Sequence, residues 1–237
     1  WLSYIDAYIK EKQFNNARQA LEQAKKHGMA GEKLSVLEGQ LAPINETEKI
    51  DSESPSQEQV RSLLNFYQSG RLDDAEKLAV ALTKKFPSHN FSWKILGEVF
   101  KATGRNSEAV NAHQTAVALS PRDAAAHYNL GVTLRELGRL EEAKASYTQA
   151  ITLKSDFAEA HSNLAVTLQE LGRSEEAEVS YKQAIALKPN FAQAHSNLGN
   201  MLKESGRLEE AEASFRQAIA LKPDYAKAHN NLGNTLK

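Results

Sequence analysis

The sequence predicts an all-α chain folded as a solenoid of stacked helix hairpins, and three observations predict it. Gly70, Gly104, Gly138, Gly172 and Gly206 stand 34 residues apart, each followed by an arginine. Five residues after each glycine comes an alanine, from Ala75 to Ala211. Residues 158–191 and 192–225 are identical at 22 of 34 positions, so the period is a structural unit and not a chance alignment. One such unit cannot bury its apolar face alone, and its copies must stack into an array with a concave and a convex side.

Taken in order, residues 1–42 come first and are out of register. Trp1, Phe14, Ala17 and Ala24 suggest a hairpin ending near Gly28, followed by a lone helix over Glu32–Leu41 that Pro43 stops. Ala17 and Ala75 are 58 residues apart, which is not a multiple of 34. This segment therefore joins the stack as a partial extra copy or stands as a module of its own. Residues 43–55 are acidic, polar and bounded by proline, the composition of a linker. The array fills 56–237: a degenerate copy at 56–89, with Ser62 and Leu63 where later copies have Leu-Gly, then 90–123, 124–157, 158–191, 192–225 and a partial copy at 226–237. The last segment stops inside a repeat, which reads as a piece of a longer chain.

Within each copy the pattern predicts two helices. Ala160, Leu164, Ala165 and Leu168 recur at helical spacing, and Gly172 suits the left-handed residue that ends a helix. The second helix opens on Glu175 and Glu176 and closes on Lys188 before Pro189, each charge favourable beside its end of the helix dipole. Asp156 with Glu159, and Asn190 with Gln193, have the spacing of a capping box for the next first helix. Small residues at Gly131, Ala165, Gly199, Ala143, Ala177 and Ala211 let paired helices approach, with Leu130, Leu164, Tyr147 and Tyr181 filling the space around them.

Trp93, Leu96-Gly97, Phe100, Ala109, Ala116 and Pro121 together resemble the tetratricopeptide repeat pattern. Later copies carry His127, His161 and His195 at the position of the first aromatic. The resemblance covers about 56–237 and implies a right-handed superhelix whose first helices line a concave groove that takes an extended peptide or protein segment.

Composition narrows the chemistry. With 29 Lys plus Arg against 30 Asp plus Glu, the formal net charge of −1 gives no electrostatic reason to expect nucleic acid or an anionic membrane as partner. The chain has no cysteine, which excludes disulfides, thiolate metal sites and a cysteine nucleophile. No run of apolar residues is long enough to span a bilayer, and a cytoplasmic setting is the expectation. No cofactor is expected, because no phosphate-binding loop, G-x-S-x-G or H-E-x-x-H pattern occurs.

Two repeated features could hold chemistry but read as structural. His127, His161, His195 and His229 fall one per copy, on the order of 10 Å apart by helix packing, too far apart to share an ion. The pairs Glu141-Glu142, Glu175-Glu176 and Glu209-Glu210 are helix neighbours pointing apart, so they cannot converge as an acid and a base. No catalytic or metal-binding residue is assigned, and the chain is not expected to be an enzyme. The tripeptides Asn45-Glu-Thr47 and Asn90-Phe-Ser92 match a glycosylation acceptor, which matters only in a secreted protein.

A repeated polar position is different. Asn129, Asn163, Asn197 and Asn231 recur every 34 residues, and Val132, Val166, Asn200 and Asn234 share their helical face three residues on. An amide both donates and accepts, so a row of them can pair with an extended backbone whatever its side chains. The row resembles the asparagine ladder in the repeat superhelix of protein O-linked N-acetylglucosamine transferase, and the A-H-S-N-L-G-N wording of 194–200 is close to that enzyme's repeats. The candidate groove is thus Asn129, Asn163, Asn197, Asn231, Asn200 and Asn234; upstream the equivalents are Ile95 and Arg61, and the row ends. The alternative is that these amides bond between adjacent helices or face water. Two further readings stay open: a substrate-recruiting arm of a larger glycosyl- or sulfotransferase, and self-association through the exposed C-terminal end of the stack.

Overall fold

A computed structural model describes Leu2, Ile5 and residues 14–29, 31–41 and 54–236. Among the described residues there are thirteen α-helices and no strand, as the sequence predicts. The chain divides into two compact units, 1–52 and 53–237.

The first unit holds α1 (Phe14–Lys26) and α2 (Glu32–Leu41), the latter with the bounds the sequence predicts. Its core is Ile5, Ala17, Ala20, Leu21, Ala24, Leu34 and Leu37, and Lys25 pairs with Glu38 between the two helices. Of the expected linker at 43–55, all but 54 and 55 lie outside the described residues.

The second unit is the array. Its hairpins pair α3 (Gln57–Gln68) with α4 (Leu72–Lys85), α5 (Asn90–Ala102) with α6 (Asn106–Leu119), α7 (Ala124–Glu136) with α8 (Leu140–Leu153), α9 (Ala158–Glu170) with α10 (Ser174–Leu187), and α11 (Ala192–Glu204) with α12 (Leu208–Leu221); α13 (Ala226–Thr235) packs on α12. The turn between helices is set by the repeated glycine. Gly172 has φ +75°, its N–H bonds the Gln169 carbonyl at 2.9 Å, and the Arg173 N–H returns to Leu168 at 2.8 Å. A β-carbon is disfavoured at that φ, which explains a glycine at this point of every hairpin.

Packing within each hairpin sets a small residue against a large one. Gly131 lies over Tyr147 and Gly199 over Phe215: a β-carbon on either would stand 2.8 Å from the ring. Tyr147, Tyr181 and Phe215 are at most 1% exposed, and Ala143, Ala177 and Ala211 are fully buried beside them. The cores run as successive clusters, one across 63–112, one across 110–147 and one across 165–215.

The expected capping boxes at Asp156/Glu159 and Asn190/Gln193 do not form. Phe157 and Phe191 are the N-cap residues, without a side-chain cap, so Asp156 and Asn190 stand one position too early to reach the orphan N–H groups. The Phe157 ring packs instead on Tyr128, with centroids 4.9 Å apart, and Glu159 pairs with Lys188 at 2.7 Å. Side-chain caps do occur at Asp123, which accepts from Ala125 and Ala126, and at Ser56, whose box with Gln59 is complete.

Candidate functional site

The first helices α7, α9, α11 and α13 carry the asparagine row. Each asparagine sits beside its helix's buried stripe, which runs through Ala126, Leu130 and Leu134 in α7 and through Ala194, Leu198 and Leu202 in α11. That places Asn129, Asn163, Asn197 and Asn231 at the edge of the stripe, half-buried. Their carbonyls accept from Thr133, Thr167 and Thr235 at 2.8–3.0 Å in three of the four copies; the α11 equivalent is Met201.

The four amides are not equivalent. Asn163 Nδ2 donates to the Tyr128 hydroxyl at 3.0 Å, and Asn231 Nδ2 donates to Asn200 Oδ1 at 2.7 Å. These two rungs bond between adjacent first helices, as the alternative reading holds. Among the described residues the side chains of Asn129 and Asn197 have no hydrogen-bond partner, so both amides keep their full capacity. Asn197 and Asn200 border an open cavity of about 360 Å³ together with Val166, Gln169, Glu204 and Lys227. A second polar row flanks it, with Arg135 on Glu170 at 3.2 Å and Gln169 on Glu204 at 2.7 Å. Tyr128 is held by Asn163, Tyr147 and Phe157, and burial raises its phenol pKa. Asn234 is exposed at the end of α13, whereas upstream Ile95 is buried in the row's place and Arg61 is exposed.

The histidines have a defined structural partner. Nε2 of His127, His161, His195 and His229 lies 2.8–3.2 Å from the carbonyl six residues earlier, at Pro121, Ser155, Pro189 and Pro223. Trp93 Nε1 makes the same bond to Pro87 at 2.8 Å. A carbonyl can only accept, so the histidines carry their proton on Nε2 and do in later copies what the tryptophan indole does in the earlier one. The fixed spacing of six to the turn was visible in the sequence and is the signal that could have predicted this bond. Among the described residues no group of three or more His, Asp or Glu could hold a metal ion.

The repeated arginines and glutamates are tied to each other. Arg139, Arg173 and Arg207 each grip the carboxylate three residues on, Arg173 in bidentate fashion with both N–O distances 2.7 Å. The guanidiniums hold Glu142 and Glu210 below the usual carboxylate range. Arg105 and Arg207 also reach Glu76 and Glu178 of the preceding copy, each at 2.6 Å. Val110 and Lys144 occupy the matching positions for Arg139 and Arg173, whose ion pairs stay within their own copy, although the charge of Glu141 in the preceding copy also acts on Arg173. The acceptor tripeptide at Asn90 opens α5, with Ser92 fully buried, which is a folded helix start and not a loop.

Models described as TPR repeat match residues 97–134, 131–172 and 199–237, and models described as tetratricopeptide repeat match 63–113, 158–191 and 180–213. Together they run from 63 to 237 without a gap, about three quarters of the sequence, and the chain belongs to the tetratricopeptide repeat family. Solved structures of similar fold include MamA, 24% identical over 69% of this chain and 95% of that one with a TM-score of 0.63. YrrB, a TPR protein with an unusual peptide-binding site, is 19% identical over 76% of this chain and 93% of its own, with a TM-score of 0.63. TTC0263, a thermophilic TPR protein in Thermus thermophilus, is 26% identical over 76% and 98%, with a TM-score of 0.61. No curated protein matches by sequence. Among the described residues no helix is long and apolar enough to cross a membrane.

Proposed function

We propose that the array is a protein-interaction scaffold that holds an extended peptide segment along its first-helix face, without catalysis of its own. The observation that carries this reading is the amide row: Asn129, Asn163, Asn197 and Asn231 at one position of four successive first helices, with Asn129 and Asn197 unengaged by other side chains. A peptide backbone offers alternating N–H and C=O groups, and an amide side chain satisfies either. Asn200 and Asn234 extend the row beside the last two rungs. YrrB, similar in fold, has a peptide-binding site by its own description. Asn163 and Asn231 have each spent a donor within the chain, so the peptide gains fewer bonds than four free amides would offer. At about 1 kcal/mol net per bond, set against the cost of ordering a flexible ligand, affinity is micromolar or weaker.

A peptide array probed with the purified chain, followed by titration of the strongest hit, tests the reading. Asn129→Ala combined with Asn197→Ala should weaken binding at least tenfold. Melting should move by no more than about 2 °C, since neither amide bonds the fold. Unchanged affinity in that double variant overturns the reading. A second reading, substrate recruitment for a larger glycosyl- or sulfotransferase, draws on the A-H-S-N-L-G-N wording of 194–200, similar to the repeats of protein O-linked N-acetylglucosamine transferase. A transferase domain in the same polypeptide would favour it. Self-association through α13 would appear as a mass that rises with concentration in sedimentation.

A further inference from the structure

The 90–123 hairpin buries a titratable ring that peptide binding does not use. His113, on α6, is fully buried, and neither of its ring nitrogens has a hydrogen-bond partner. It lies directly under Gly97 of α5: a β-carbon there would stand 2.5–2.7 Å from three atoms of the imidazole. In the copies that follow, the same position is Tyr147, Tyr181 and Phe215. Those rings have no cationic form. Histidine has one, and under Gly97 both of its ring nitrogens lie buried without a hydrogen bond.

The charged groups around the ring decide what a proton would meet. From α5, Glu98 Oε1 is 3.7 Å from Nε2, and Lys94 and Lys101 add positive charge. Glu98 already pairs through its other oxygen, Oε2, with Lys101 at 2.6 Å, and burial together with the Glu98 charge pushes the nearby Tyr67 phenol of α3 up. Asp123, in the turn before α7, faces Lys94 at 2.9 Å and is occupied by it, and Tyr128 of α7 contributes a phenol that burial keeps protonated. The carboxylate nearest to an imidazolium is therefore shared before the proton arrives, and a buried cation with a committed partner is costly.

We propose that His113 is a pH-sensitive latch: its protonation drives the ring from beneath Gly97 and opens the 90–123 hairpin, loosening the upstream array while the copies from 158 onward stay closed. The core clusters support that boundary. Leu63, Leu82, Phe86, Leu96, Val99 and Ala112 form one cluster around α3 to α6, whereas Ala165, Tyr181, Leu198 and Phe215 belong to another. The four later histidines differ, because Nε2–H of each already donates to a carbonyl and keeps that bond when the ring is charged.

Burial pushes the His113 pKa down from 6.5 to about 4. The unfolded hairpin then binds more protons than the folded one throughout that interval. Stability is complete above about pH 6.5, falls as pH drops, and the loss is full once pH passes below about 4. At pH 5 the two pKa values correspond to a roughly thirtyfold fall in the hairpin's closing equilibrium.

Hydrogen exchange of the full chain at pH 7 and pH 5, corrected for the intrinsic pH dependence of exchange, tests this. Protection over 90–119 should drop about twentyfold between pH 7 and pH 5, with 158–221 unchanged. His113→Tyr, which copies the residue of the next two hairpins, should abolish the drop. His89→Asn should retain most of it; His89, at the start of α5, is also pushed below its ordinary value by burial, but it is only partly covered and bonds Ser92. An equal drop in His113→Tyr, or none in the parent chain because Glu98 stabilises the imidazolium, overturns the latch. If the tyrosine variant does not fold, an NMR titration of the parent decides: a His113 midpoint well below 6.5 supports the latch, and one at or above 6.5 overturns it.

Discussion

The 56–89 copy and the copies after it put the same bulk on opposite sides of the hairpin. In the later copies the first helix supplies Gly97, Gly131, Ala165 or Gly199 and the second supplies a ring, His113, Tyr147, Tyr181 or Phe215. In the 56–89 copy the matching residues are Leu63 and Ala79, both fully buried in one core cluster. Leu63 is thus no decay of the pattern. It fills from the first helix the volume that a ring fills from the second elsewhere, and the pair conserves volume where neither position does alone.

That exchange can be broken and restored. Leu63→Ala should cost about 2–5 kcal/mol and Phe215→Ala about 3–5 kcal/mol, read as shifts in urea midpoint. Ala79→Phe alone should overpack the seam by about 1–3 kcal/mol, and Leu63→Gly with Ala79→Phe should recover most of the loss. A double variant no better than the sum of its singles would show that the two residues do not share one space. Next in size, Gly97→Val should destabilise by about 1–3 kcal/mol, because the ring of His113 cannot retreat without opening the hairpin.

Smaller effects compare the ring–carbonyl bonds. Trp93→Phe and His161→Ala each remove one bond to the preceding turn and should each cost about 1 kcal/mol by thermal melting. Least of all, Arg207→Gln should lower the melting temperature only slightly and lose that effect in high salt. Arg173→Gln should cost less still, since Arg173 grips a single carboxylate and Arg207 grips two.

The period, the helix pairs and their ends were legible in the sequence because they depend on neighbours a few residues away. A glycine at positive φ, a proline after a last turn and apolar residues at helical spacing act within one or two turns of chain. The bounds of α2 and the breaks at Gly138 and Gly172 follow from that. The asparagine row was equally legible as a pattern, since a period of 34 places one amide on each first helix.

What a residue touches across copies was decided only by the stacking. The failed caps at Asp156 and Asn190 turn on Phe157 and Phe191 taking the N-cap position, where the Phe157 ring packs on Tyr128. The split of the row into engaged rungs, Asn163 and Asn231, and open rungs, Asn129 and Asn197, depends on partners 35 and 31 residues away. Whether a repeated arginine bridges two copies depends on what stands 29 residues before it: Glu76 and Glu178 accept, while Val110 and Lys144 do not. The sequence alone determined each hairpin, because turns and helices close over short stretches of chain. The tertiary structure decided the seams, because contacts 29 to 35 residues apart exist only once one hairpin is seated on the next.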